Sequence, residues 1–200
     1  MLRNQTARGG NSETAVGVFQ TLDRCAHGSN YTRSEYVRRL LWQIVQATLF
    51  RIPVPRGWWW RRMLLRAFGA RLGHRAGVHP STRIVHPWLL EMGDWTMIGP
   101  GATVYNLGPV SIGDHTVISQ DCYLCAGTHD YTRPELPLLK PPIRIGAGVW
   151  IAAGAFIGPG TTIGDNSVIG ARAVVTSDIP PGVVAAGNPC RVIKPRAMPS

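Results

Sequence analysis

Aliphatic residues recur along the second half of the chain at a spacing of six: Ile98 and Val104, then Ile112, Ile118 and Leu124, then Ile145, Ile151, Ile157, Ile163, Ile169 and Val175. Most are followed by a small residue, as in Ile98-Gly99, Ile118-Ser119, Leu124-Cys125, Ile151-Ala152 and Ile163-Gly164, while Tyr105 and Thr176 depart from the rule. A period of six suits neither an α-helix nor a hairpin ladder, whose side chains repeat at about 3.6 and 2. It suits a chain that turns a corner every six residues, points one aliphatic side chain inward per side, and closes a triangular coil with three such units. The small residue lets the backbone bend at the corner, where glycine can also supply unusual φ values. Two extra residues between Ile84 and Met92, and again between Val104 and Ile112, fit as outward bulges, and a longer excursion occupies residues 128–142. The expectation is a mainly β domain, a parallel β-helix over residues 76–200 with a short C-terminal tail.

Upstream the period changes. Tyr36, Val37, Leu40, Leu41, Ile44, Val45, Thr48 and Leu49 fall at spacings of three and four, which predicts an amphipathic helix with Ser34 as N-cap, ending before Pro53. A second helix is expected from Trp58 to Phe68, stopped by the glycines at 69 and 73. Residues 31–75 thus form a helical segment. Residues 1–30, rich in Gly, Ser, Thr and Asn without an apolar period, are expected to be a disordered arm. The cluster Trp58-Trp59-Trp60-Arg61-Arg62 suits a membrane-surface anchor or a cover for the open end of the β domain; an open strand edge needs covering, which favours the cover.

Composition narrows the picture. With 200 residues one domain is the default, and 23 Gly and 16 Pro against 16% charged residues point to a turn-rich β protein. The net charge of +10 suits an acidic partner, but the basic segment before residue 76 has no nucleic-acid-binding motif, so nucleic acid is not expected. Four cysteines and an N-terminus without an apolar leader are consistent with reduced thiols and a cytoplasmic site. The apolar run over 40–50 is too short to span a bilayer.

His129, in Thr128-His129-Asp130-Tyr131 where the repeat gives way to the excursion, is the candidate general base, because a loop held on a rigid scaffold is where reactive groups concentrate. Asp130 or Glu135 could orient the imidazole. Cys122 and Cys125 have the spacing of a redox pair or half a zinc site, but no second pair accompanies them and both fall where the repeat wants small residues, so they read as core. His79, His86 and His115 form no phased triplet of the kind a β-helical carbonic anhydrase uses for zinc, so no metal is expected.

The repeat, with Ile163-Gly164-Asp165-Asn166-Ser167-Val168-Ile169-Gly170-Ala171, then Asp178-Ile179-Pro180-Pro181 and Ala186-Gly187-Asn188-Pro189-Cys190-Arg191, resembles the hexapeptide-repeat acyltransferases over residues 64–194. It is most similar to sugar O-acetyltransferases of the galactoside, maltose and colanic-acid types. That resemblance implies a left-handed coil, a homotrimer with its site between subunits, acetyl-CoA as co-substrate, and a saccharide acceptor in polysaccharide biosynthesis, with His129 as the base. It further implies Ala153 as the main-chain oxyanion donor, Trp150 beside the acetyl-bearing arm, Ala171 and Thr176 along the CoA, and Arg191 and Lys194 at its phosphates. Ser177 stands where the family has a lysine. On the acceptor side Asn106, and Asp130 in the loop, are the implied sugar contacts, although an asparagine is equally at home in a plain turn. The competing readings are an acyltransferase with an amine or serine acceptor and a non-catalytic membrane-surface scaffold.

Overall fold

The computed structural model describes residues 31–52 and 57–197; the arm expected over 1–30 lies outside them. From Arg71 onward the chain winds as a parallel β-helix of five full coils and a partial sixth. The first face stacks Arg71–Leu72, Leu90–Met92, Val110–Ile112, Ile143–Ile145 and Thr162–Ile163; the second begins at Gly77–Val78 and ends at Val183–Ala186; the third runs from Arg83–Ile84 to Val174–Val175. Leu72 pairs with Met92 and Met92 with Ile112, so a coil takes 20 residues there; Ile145 pairs with Ile163, so later coils take 18. The bulges and tight corners read from the spacing account for the difference.

All eleven periodic aliphatics point inward and none is more than 3% exposed. Each side contributes one column, for example Ile98, Ile118, Ile151 and Ile169 on the second face. The corners work differently from the expectation. The glycine directly after the aliphatic does not carry the unusual backbone angle: it is required because a Cβ would strike the next coil, at Gly113 lying 2.6 Å from the Ala147 nitrogen and at Gly164 overlapping Pro181. Positive φ falls two residues after the aliphatic's neighbour, at Gly101, Gly148, Gly154 and Gly160 and also at Trp95, His115, Asn166 and Arg172. Asp94, Asp114 and Asp165 tie the coils by accepting from the His74, Asp94 and Ala147 amides at 2.6–2.8 Å.

Helix α1 spans Arg33–Ala47 and α2 Trp58–Ala67. The N-cap is Thr32 rather than Ser34: its hydroxyl accepts from Glu35 N while the Glu35 carboxylate accepts from Thr32 N, a reciprocal box that Ser34 has no partner to form. The two helices close the open end of the first coil with side-chain donors. Arg66 donates to Leu72 O, Arg62 to Ala76 O, Arg61 to Val78 O and Trp42 to Ile84 O, so each face's unpaired carbonyl edge is met. Trp58 lies against Gly77, which supports the covering role read for this cluster.

Candidate active site

The excursion over residues 128–142 leaves the third face after Tyr123–Cys125 and returns to the first at Ile143. It is not a free loop. Thr128–His129 pairs antiparallel with Leu138–Leu139, and Asp130 N donates to Pro137 O at 3.0 Å, so His129 sits at the base of a short hairpin. The imidazole is exposed. Its Nδ1 lies 2.6 Å from the Leu136 carbonyl oxygen, and because a carbonyl only accepts, Nδ1 carries the proton. In the neutral ring the lone pair then lies on Nε2. Leu136 has φ +48°, a left-handed conformation unusual for a branched side chain, and this turns its carbonyl toward the ring.

The carboxylates expected to orient His129 do other work. Asp130 accepts from the Thr132 hydroxyl at 2.6 Å and the Thr132 amide at 3.1 Å, bonds that hold its carboxyl below the ordinary range. Glu135 faces Arg133 at 3.5 Å. The orienting group is the Leu136 main chain, which sequence reasoning missed because a carbonyl leaves no residue-type signal. Asn106 also departs from its expected role as a sugar contact. It is fully buried, and its amide accepts from His86 N and donates to His86 O, bridging two coils.

Trp150 stands on the outside of the second face, half exposed, with its indole N–H donating to Ser119 Oγ at 3.0 Å. Ala153 lies at the next corner, where its carbonyl accepts from Arg172 N while its own N–H has no backbone partner among the described residues. Ala171 is at the same corner one coil further, beside Arg172. Thr176 and Ser177 are exposed at the opposite end of the third face. Arg191 and Lys194 are exposed on the terminal strand Arg191–Pro195, which folds back antiparallel onto Val183–Ala186. The structure therefore gathers Trp150, Ala153 and Ala171 along one edge of the prism, and roots the His129 hairpin at another edge of the third face.

Cys122 belongs to the core, whereas Cys125 is half-buried. Cys122 is 1% exposed and directs its thiol at Ala152 O, Cys125 directs its own at Gly127 O, and burial raises both thiols above their ordinary value. His79 contacts Ser81, His115 stacks on Trp95 and His86 lies inside the fold. Among the described residues no three His, Cys, Asp or Glu gather as a metal site.

Residues 142–177 match the model of the bacterial transferase hexapeptide family (six repeats). The putative colanic acid biosynthesis acetyltransferase WcaF of Escherichia coli K12 is 44% identical over 156 residues, which cover 78% of this chain and 86% of that protein. The chain belongs to the hexapeptide-repeat acyltransferase family. The galactoside O-acetyltransferase of the same organism is 39% identical over 137 residues, 67% of this chain and 68% of its own. Among solved structures, a galactoside acetyltransferase in complex with coenzyme A superposes with a TM-score of 0.77 at 34% identity, covering 84% of this chain and 86% of that one. A maltose O-acetyltransferase from Clostridium difficile 630 gives 0.75 at 30% identity, covering 84% and 90%. Family membership makes the chain an acyltransferase.

Proposed function

We propose that the protein transfers an acetyl group from acetyl-CoA to a hydroxyl of a saccharide, in the assembly of a polysaccharide, and that it works as a cytoplasmic homotrimer. The observation that carries the chemistry is the bond from His129 Nδ1 to the Leu136 carbonyl, which in the neutral ring puts the proton on Nδ1 and leaves Nε2 as the acceptor. In the reaction Nε2 takes the proton of the acceptor hydroxyl as its oxygen attacks the thioester carbonyl carbon. The Ala153 N–H meets the negative charge that develops on the carbonyl oxygen, and the protonated imidazole then returns its proton to the departing thiolate. Trp150, Ala171 and Thr176 line the path of the CoA, with Arg191 and Lys194 at its phosphates; Ser177 offers no charge there, so the arginine and lysine of the terminal strand carry that contact.

The outward side chains support the assembly. Glu91, Ser111, Arg144 and Thr162 make the first face polar, whereas Val117 and Trp150 on the second and the run Tyr105, Tyr123 and Phe156 on the third are apolar. Two apolar faces per prism suit a ring in which one subunit's second face meets the next subunit's third. The WcaF and galactoside relatives favour a saccharide acceptor over an amine or serine.

The test is mass spectrometry of acceptors incubated with protein and acetyl-CoA, run beside His129→Ala. Acetylation of a saccharide hydroxyl is expected, with turnover lowered at least ~100-fold in the variant at unchanged assembly mass. Transfer only to amines or serine would replace the acceptor. Absence of any thioester turnover by the intact assembly would leave a non-catalytic scaffold.

A further inference from the structure

Helix α1 is mounted with its apolar side outward. At about 100° per residue, Tyr36, Val37, Leu40, Leu41 and Ile44 fall within an arc of roughly 140°, and each of the five is 51–58% exposed. The opposite side docks on the coil. There Trp42 is fully buried and donates to Ile84 O, and Arg38 donates to Phe68 O while lying 4.1 Å over the Trp88 ring. A helix that merely covered the coil would turn its aliphatic stripe inward and its arginines to water. Here Trp42 and the tip of Arg38 reach the protein, while the aliphatic stripe, with Arg33 on its side of the helix, faces away.

The charge around this stripe has one sign. Residues 31–75 contain ten arginines and one acid, Glu35, which caps α1. Among the described residues only Arg71 of these ten pairs with a carboxylate, Glu91 at 3.7 Å. Arginines that donate to main-chain carbonyls keep their full charge, so the end of the molecule bearing the stripe is strongly positive. Arg33 and Arg51 are exposed at the two ends of the α1 region, and Trp59 is exposed on α2. A second copy of this chain would bring the same positive end against itself. An aliphatic stripe flanked by unneutralised arginine and an exposed tryptophan matches the boundary between headgroups and acyl chains of an anionic bilayer. No helix among the described residues is long and apolar enough to cross one.

We infer that the outward face of α1 seats the protein flat on an anionic phospholipid surface, with the coil standing away from it. The experiment is co-sedimentation of the full chain with vesicles of phosphatidylcholine alone or with ~30% phosphatidylglycerol, at low and high salt. Partitioning onto the anionic vesicles is expected to exceed that onto neutral ones at least ~10-fold and to weaken as salt rises. The Leu40→Asp, Ile44→Asp double variant alters exposed side chains only; it should lose vesicle binding at least ~10-fold while keeping its thermal midpoint, assembly mass and acetyl transfer to a water-soluble acceptor. Arg33→Gln with Arg51→Gln should weaken binding to anionic vesicles several-fold and leave binding to neutral ones unchanged. Absence of wild-type binding to anionic vesicles, or equal binding by the Asp variant, would overturn the inference. A drop in assembly mass in the Asp variant would instead make the stripe an interface between copies.

Discussion

The coils and the 128–142 hairpin are built by opposite rules. In the coils every strand between the two ends has a neighbour above and below, each inward residue repeats its neighbour's role, and the corner bonds from Asp94, Asp114 and Asp165 recur from coil to coil. The hairpin has no such repetition. It rests on one two-residue antiparallel pair and a few turn bonds, and its Tyr131 is 87% exposed. The difference teaches where chemistry fits. A repeating scaffold has no room for a singular group, so the imidazole proposed as the base stands where the repeat is interrupted, held at a fixed place by the regular coils on both sides.

The most severe way to break the comparison is to place a charge in the inner column. Ile151→Asp should leave no folded protein, read as loss of soluble protein and of the β-type circular dichroism spectrum, because a buried carboxylate there has no partner. Ile151→Ala should cost about 2–5 kcal/mol in urea unfolding, with His129 chemistry reduced only through loss of folded protein. Gly113→Ala should cost about 1–3 kcal/mol, since its Cβ would press on the Ala147 and Gly146 main chain. A change of similar size in the hairpin should do far less to stability.

His86 gives a pH test of the coil side. Burial, foremost, holds this imidazole below its ordinary value; Arg39 and Lys140 push the same way, while its bond to Asn106 and the Glu35 charge oppose. The unfolded chain therefore takes the proton first as pH falls. Stability should be undiminished above the ordinary imidazole value of about 6.5 and fall as pH drops from there through the lower folded-state value. Urea unfolding at pH 7.5 and 5.5 reads this, and His86→Gln should flatten the difference. The smallest effect belongs to Asp130→Ala. Because Asp130 bonds Thr132 and not the imidazole, turnover should change by no more than ~3-fold, while a carboxylate that oriented His129 would cost far more.

The coil was legible because inward side chains are selected one by one at a fixed interval, so the pattern Ile145, Ile151, Ile157, Ile163, Ile169 states the fold directly. Helix α1 was legible as a helix but not in its orientation: a periodic stripe says that one side is apolar, not which side the neighbouring coil takes, and Trp42 with Arg38 took it. Thr32 as N-cap was readable from Glu35 three residues on. At the proposed site, His129 draws notice by its place at the interruption, whereas the Leu136 carbonyl that bonds it does not, because any residue supplies a carbonyl and only the local backbone aims it. Asn106 read as a polar group on offer, but its amide is consumed by the backbone at His86.

The most direct test of the account is the protonation state of the His129 ring itself. Long-range proton–nitrogen correlation spectra of the full chain labelled with nitrogen-15 histidine, with His129→Gln to assign the signal, report which ring nitrogen carries hydrogen in the neutral form. The account requires the proton on Nδ1, bonded to the Leu136 carbonyl, and an open Nε2. A neutral His129 with its proton on Nε2 would contradict it, since the nitrogen assigned to take the acceptor's proton would already be occupied.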